Sequence, residues 1–183
     1  SGLSSVLDMQ TKAGNTDRFH GKLILGASDV GINLDTPLSS DGKTTLVGSF
    51  RRSYLQMLFK VLKLPFLPTY NDYQFKVTSK LSDRDEIFLI GLGSFDKNRL
   101  NLGLKDPEKD RKYILGYMPE SNQTSYVFGA GYNHMFSGGK LQIAASRDYL
   151  KNEMYKYRDN DESLPRILDI DSREGNYRAR ASI

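Results

Sequence analysis

The chain has 183 residues, a net charge of +4, 38% apolar residues and 26% charged residues. It has no Cys and two His, His20 and His134, which excludes disulfides, thiolate chemistry, Cys-ligated metal and a His-rich zinc site. The charge is too mild to argue for nucleic acid, and no apolar run reaches the roughly 18 residues of a membrane helix. The chain opens in mid-pattern at Ser1-Gly2-Leu3-Ser4-Ser5, with no signal-peptide pattern.

Taken in order, the chain is dominated by period-2 alternation, the mark of strands. Leu23 and Leu25 oppose His20, Lys22 and Ile24. Val30, Ile32 and Leu34 oppose Gly31, Asn33 and Asp35. Residues 44–52 are strand-like. Tyr54, Leu55, Leu58, Val61 and Leu62 then switch to helical spacing, and Pro65 stops them. This predicts a short helix after the third strand, with a continuing strand as the alternative. Over 72–81, Tyr73, Phe75, Val77 and Leu81 face away from Asp72, Gln74, Lys76, Thr78 and Lys80. Residues 86–95 are strand-like.

The clearest strand is 125–136. One face reads Tyr126, Phe128, Ala130, Tyr132, His134, Phe136, and the other Ser125, Val127, Gly129, Gly131, Asn133, Met135. Aromatics stand at both ends of the first face. A strand against a soluble core explains this, and so does a membrane strand with an aromatic residue at each interface. Over 140–149, Leu141, Ile143, Ala145 and Tyr149 share a face that Arg147 interrupts. Tyr177, Ala179, Ala181 and Ile183 alternate with Arg178, Arg180 and Ser182.

Tight turns are expected at 39–42, 82–85 and 137–139, where Gly, Asp and Ser cluster. Longer links are expected at 55–69, 101–122 and 157–166. Short turns at one end and long loops at the other outline an outer-membrane β-barrel.

The candidate motifs mostly fail on context. Gly42-Lys43-Thr44 lacks the leading Gly of a phosphate loop, since position 37 is Pro37. The Gly-x-Gly pairs at 91–93 and 129–131 sit inside strands without a following helix. Asp159, Asp161 and Glu162, with Asp169 and Asp171 nearby, do not follow the spacing of a calcium loop and read as a solvated acidic loop. No metal, cofactor or catalytic residue is assigned, and no enzyme activity is expected. Arg51 and Arg52 are the clearest candidates for holding a solute, with Tyr70 and Asp72 beside them. The structural reading sends one arginine into a lumen and the other along a lipid surface.

Several ordered segments carry a resemblance. They are Leu3-Ser4-Ser5-Val6-Leu7-Asp8, Lys12-Ala13-Gly14-Asn15 and Phe19-His20-Gly21-Lys22, followed by Gly26-Ala27-Ser28-Asp29 and Leu34-Asp35-Thr36-Pro37-Leu38. The strongest are Arg51-Arg52-Ser53-Tyr54-Leu55 and the run from Leu64-Pro65-Phe66 to Tyr70-Asn71-Asp72, and Tyr157-Arg158-Asp159-Asn160-Asp161-Glu162-Ser163 closes the series. Together they resemble the end of the plug and the first barrel strands of TonB-dependent outer-membrane receptors of the Bacteroidetes type.

The resemblance implies an all-β fold, an antiparallel up-and-down transmembrane barrel segment of about eight strands out of about 22. It implies the last plug strand and a linker over 1–17 and barrel over 18–183. The chain is then expected to be a fragment that stops in mid-strand at Ile183. Tyr126, Phe128, Ala130, Tyr132, Phe136, Tyr73, Phe75 and Val77 would face lipid. Implied partners are outer-membrane lipid, a TonB-type energising protein acting through parts outside this chain, and a surface substrate-binding lipoprotein. No nucleic acid is expected. The implied function is active nutrient uptake, of an iron chelate, cobalamin or a glycan. A free-standing eight-stranded membrane barrel and a soluble ligand-binding β-barrel are the alternatives.

Overall fold

The computed structural model describes residues 11–105 and 107–183. Eight strands follow one another: β1 (His20–Leu25), β2 (Asp29–Pro37), β3 (Thr44–Ser53), β4 (Phe66–Lys80), β5 (Asp85–Leu100), β6 (Glu120–Phe136), β7 (Gly139–Tyr157) and β8 (Arg166–Ser182). Helix α1 (Leu55–Val61) lies between β3 and β4, and α2 (Lys109–Tyr117) between β5 and β6. A 3-10 turn, Arg158–Asn160, follows β7. Each strand pairs antiparallel with the next, in the order β1 to β8, so β1 and β8 are the two edges of one up-and-down sheet. The all-β fold expected from the alternation is the fold observed.

The register carries each alternating face across the sheet. Directly paired residues point the same way. Tyr73 pairs with Gly93, Gly93 with Tyr126, and Tyr126 with Tyr149. One step along, Phe75, Gly91, Phe128, Arg147 and Tyr177 form the next row. Val77, Leu89, Ala130, Ala145 and Ala179 form the third. The residues expected to face lipid therefore share one apolar face. The opposite face carries Asn33, Arg51, Asp72, Gln74, Lys76, Ser94, Asp148 and Arg178 in the same phase.

Glycines make room for rings on the apolar face. A Cβ on Gly91 would lie 2.4 Å from the Phe75 ring and 2.9 Å from that of Phe128. Glycine between them lets both rings lean over β5, with centroids 6.3 Å apart. Further along, Tyr126 stacks on Tyr149 at 5.1 Å.

Among the described residues, no second layer covers this face. Leu100 is the one large apolar side chain buried among the described residues, while Ile32, Phe50, Leu89, Phe128, Ile143 and Tyr177 stay exposed. A soluble domain buries such a face against another layer.

The connections sort by end. Turns 38–43, 81–84 and 137–138 lie at one end, the last made with Gly138 at φ +102. Links 26–28, 54–65, 101–119 and 158–165 lie at the other. The first of these is short, so the sorting by length begins at β3.

Three expected boundaries need correction. The links read as 55–69, 101–122 and 157–166 are shorter, because β4 starts at Phe66, β6 at Glu120 and β8 at Arg166. These extensions alternate poorly: Glu120 to Thr124, for example, is polar on both faces. The middle link also holds α2, which has no buried residue and left no apolar stripe to read. The short helix after β3 is observed. The plug strand expected within 1–17 lies largely outside the described residues, and residues 11–19 form no strand.

Candidate functional site

The polar face encloses a hollow of about 990 Å³ whose lining comes from all eight strands, from Ile24 in β1 to Arg178 in β8. The sheet must therefore curl toward its polar side, in keeping with the twist of sheets. Ion pairs line the wall. Arg51 Nε donates to Asp72 Oδ2 at 2.9 Å between β3 and β4, and Arg178 lies 2.6 Å from Asp148 between β8 and β7. Each pair joins neighbouring strands in a wet, half-exposed setting, where such pairs add about 0–1 kcal/mol.

Of the sequence candidates, Arg51, Tyr70 and Asp72 line this hollow together. Arg52 does not. It is one residue out of phase, pairs with Val30 and Asn71, and shares the opposite face with Phe50 and Tyr73. The register puts the two arginines on opposite faces of the sheet.

The N-terminal segment lies against the polar face. Lys12 Nζ donates to Asp35 Oδ2 at 2.6 Å, and the Asn15 amide donates to Asp35 Oδ1 at 2.6 Å. Lys76 Nζ donates to the Thr11 carbonyl at 3.4 Å. Thr11 and Lys12 help enclose a smaller cavity of about 310 Å³ with Val47, Gln74, Ile90 and Leu92. Asp35 and Lys76 are inner-face residues of β2 and β4, so the strap crosses the concave side of the sheet.

On the apolar face, the band has a measurable height. Tyr126 to Phe136 spans roughly ten residue steps of ~3.3 Å, about 33 Å along the strand. At a tilt of ~45° this is about 23 Å, against the ~25 Å apolar band of membrane barrels. Polar rows begin beyond Tyr149. There Lys151 pairs with Glu153 at 2.6 Å and Arg173 with Asp171 at 2.7 Å. The Arg166 guanidinium lies over the Tyr155 ring at 4.5 Å. At the turn end, Asp85 accepts hydrogen bonds from Tyr132 and from His134 Nδ1. Arg147 is the charge within the band, and its guanidinium sits 5.1 Å from the Tyr177 ring centroid.

Beyond the band, the long links interlock. Lys156 is 7% exposed, and burial holds its pKa below the usual lysine value. Its ammonium donates to Leu115 O at 3.0 Å, Met118 O at 3.2 Å and Asn160 Oδ1 at 2.7 Å. Arg111 Nη1 donates to the Lys63 carbonyl at 2.9 Å, and Asn101 Nδ2 to the Leu64 carbonyl at 2.9 Å. Sequence reasoning missed Lys156, because a lysine in a strand ordinarily reads as exposed; the carbonyls that hold it come from distant links.

No group of three or more His, Cys, Asp or Glu among the described residues is arranged to hold a metal ion. The acidic residues of 159–171 are drawn apart. Asp161 accepts from the Ser163 hydroxyl at 2.7 Å, Asp169 takes Arg166, and Asp171 takes Arg173. The Ser163 hydroxyl and amide keep the Asp161 carboxyl below its usual pKa.

The chain matches no family model, no curated protein and no solved structure.

Proposed function

We propose that this chain is a segment of a TonB-dependent outer-membrane receptor for active uptake of a nutrient of the iron-chelate, cobalamin or glycan class. The observation that carries the reading is the two-faced curled sheet. Its outer face is an apolar, aromatic-ended band of about bilayer height, while its concave polar face carries the 11–16 strap. The ordered sequence resemblance to plug end and first barrel strands supports the same assignment.

On this reading, outer-membrane lipid covers the apolar face, because lipid is the phase that accepts it without a second layer. Backbone groups inside the sheet are satisfied strand to strand. The edges of β1 and β8 are then met by further strands of a larger barrel. The end carrying α1 and α2 faces outward, where a surface lipoprotein would deliver solute, and the short turns face the periplasm. The polar hollow with Arg51, Tyr70 and Asp72 belongs to the solute path. A TonB-type protein supplies force through parts outside this chain, and no bond is made or broken.

Fractionation of the source cells tests the reading, using an antibody raised against residues 101–122. The expected result is a band several times larger than 20.7 kDa in the outer membrane. A membrane band near 20.7 kDa would replace the receptor by a small complete barrel, and a soluble band would remove both membrane readings.

A further inference from the structure

We infer that Arg147, Lys151 and Arg173 form a site for the phosphate of one anionic lipid on the outer face of β7 and β8. Three successive pairs build it: Arg147 with Tyr177, Tyr149 with Gly175, and Lys151 with Arg173. All share the phase of the apolar face, since Arg147 lies across from Phe128 and Tyr149 from Tyr126. The middle pair lies two residue steps, about 6.6 Å along the strands, from the cations on either side. Arginine and lysine side chains span that distance, so all three cations reach the middle row. Gly175 carries no side chain and leaves a notch beside the Tyr149 ring, where a Cβ would lie 3.8 Å from it. Arg147 borders the notch from the apolar side, with its guanidinium 5.1 Å from the Tyr177 ring centroid.

The charges leave room for an anion. Arg147 has no carboxylate partner among the described residues; its neighbour Asp148 lines the hollow on the other face and takes Arg178. Lys151 and Arg173 are held from one row further out. Lys151 Nζ donates to Glu153 at 2.6 Å, and Arg173 donates through Nε and Nη2 to Asp171 at 2.9 and 2.7 Å. Glu153 and Asp171 face each other in that row, so both carboxylates pull from the loop side and leave the middle row open. Three cations against two carboxylates leave one net positive charge, and Arg173 Nη1 has no acceptor among the described residues. A guanidinium fork and an ammonium match phosphate oxygens in geometry and charge. On the other side of the site, Ala145 with Ala179 and Ile143 with Ala181 form apolar rows. A phosphate seated here therefore belongs to a molecule whose tail lies on those rows, a lipid rather than a free anion. The inference rests on the membrane reading proposed above and adds the class of lipid and the place where it docks.

The absence of native Trp allows a selectivity test on the full chain refolded into phosphatidylcholine vesicles. Phe128→Trp puts the reporter directly across from Arg147. Phosphatidic acid with brominated acyl chains is titrated in, and brominated phosphatidylcholine serves as the reference. The expected quenching gives an apparent affinity for phosphatidic acid about fivefold or more above that for phosphatidylcholine. Arg147→Gln and Lys151→Gln, each on the Phe128→Trp background, should bring the two lipids within about twofold of one another. Arg52→Gln should leave the preference unchanged, because Arg52 stands in the register row of Lys151 but four strands, about 19 Å, away. If Arg147→Gln fails to fold, Arg173→Gln takes its place with the same expectation. Equal affinity for the two lipids without further substitution would overturn the site and leave the membrane reading standing. A drop in Arg52→Gln as large as in Arg147→Gln would also overturn it, by showing diffuse surface charge in place of a site. No quenching by either lipid would remove the membrane reading and the site together.

Discussion

Ala144 and Ala145 are neighbours on β7 that point to opposite faces, and arginine placed at each in turn separates lipid from water. Ala145 pairs with Ala130 and Ala179 on the apolar face, while Ala144 pairs with Gly131 and Arg180 on the polar one. Leu141 and Tyr149 mark the ends of the apolar run on β7, so Ala145 is about four residue steps from each. That is about 13 Å along the strand and about 9 Å of depth at ~45° tilt, close to mid-bilayer. Arginine at mid-bilayer on a barrel's outer face costs about 2–4 kcal/mol, a factor of roughly 30–900 in the folding equilibrium. Arginine at Ala144 projects from the polar face but lies opposite Arg180, which costs up to about 1 kcal/mol. Urea titration of the chain refolded into phospholipid vesicles reads both costs. The expected order is Ala145→Arg well below Ala144→Arg, which lies slightly below the parent. A cost under about 0.5 kcal/mol for Ala145→Arg, as for an ordinary surface site, would refute the lipid assignment of that face.

Other perturbations address the wall, the strap and the turns. Gly91→Val must displace the Phe75 and Phe128 rings, and should lower stability by about 1–3 kcal/mol in the same titration. Thr78 is 4% exposed and its hydroxyl has no partner among the described residues, so Thr78→Val should be neutral or stabilising by about 1 kcal/mol; a clear loss would show a hidden partner. Asp35→Ala removes the acceptor of both Lys12 and the Asn15 amide, and should speed proteolytic cleavage near Lys12 while leaving β5–β7 exchange unchanged. The Asp41 carboxyl is held below its usual 3.8, first by the Ser39 hydroxyl and then by the Lys43 amide. Its contribution to the β2–β3 turn is therefore present above pH ~3.8 and lost as pH falls through the lower folded value. Faster exchange of the Lys43 amide below pH ~3.8, abolished in Asp41→Asn, is the expected signature.

The faces of the sheet were legible because their contrast is large. Tyr126 to Phe136 puts Tyr126, Phe128, Tyr132 and Phe136 on one face and the glycines Gly129 and Gly131 with Asn133 on the other, and a one-residue slip would exchange the two sides. The strand ends were not legible. Glu120 to Thr124 and Lys151 to Tyr157 lie beyond the band, where both faces are polar, so the pattern fades while the ladder continues. Helix α1 announced itself through Leu55, Leu58 and Leu62 at helical spacing with Pro65 as the stop. Helix α2 carries Lys109, Asp110, Arg111 and Lys112 in its first turn and buries nothing, so no stripe marked it. For the candidate site, the doublet Arg51-Arg52 drew attention, and alternation alone sent its two members to opposite sides. Which of them meets the hollow depended on the register with Asp72. The strap from Thr11 to Asn15 and the burial of Lys156 depend on contacts across long sequence separations, which no local pattern encodes.

If the apolar face meets hydrocarbon and the polar face meets water, a probe placed on each face in turn will report the difference. The chain has no Trp, so a single introduced indole reports on its own surroundings. Phe128→Trp and Val127→Trp place it at adjacent positions of β6 on opposite faces. In vesicles of lipid brominated on the acyl chains, strong quenching is expected for Phe128→Trp and little for Val127→Trp. Equal quenching of the two, or none in either, would contradict the lipid assignment of the apolar face.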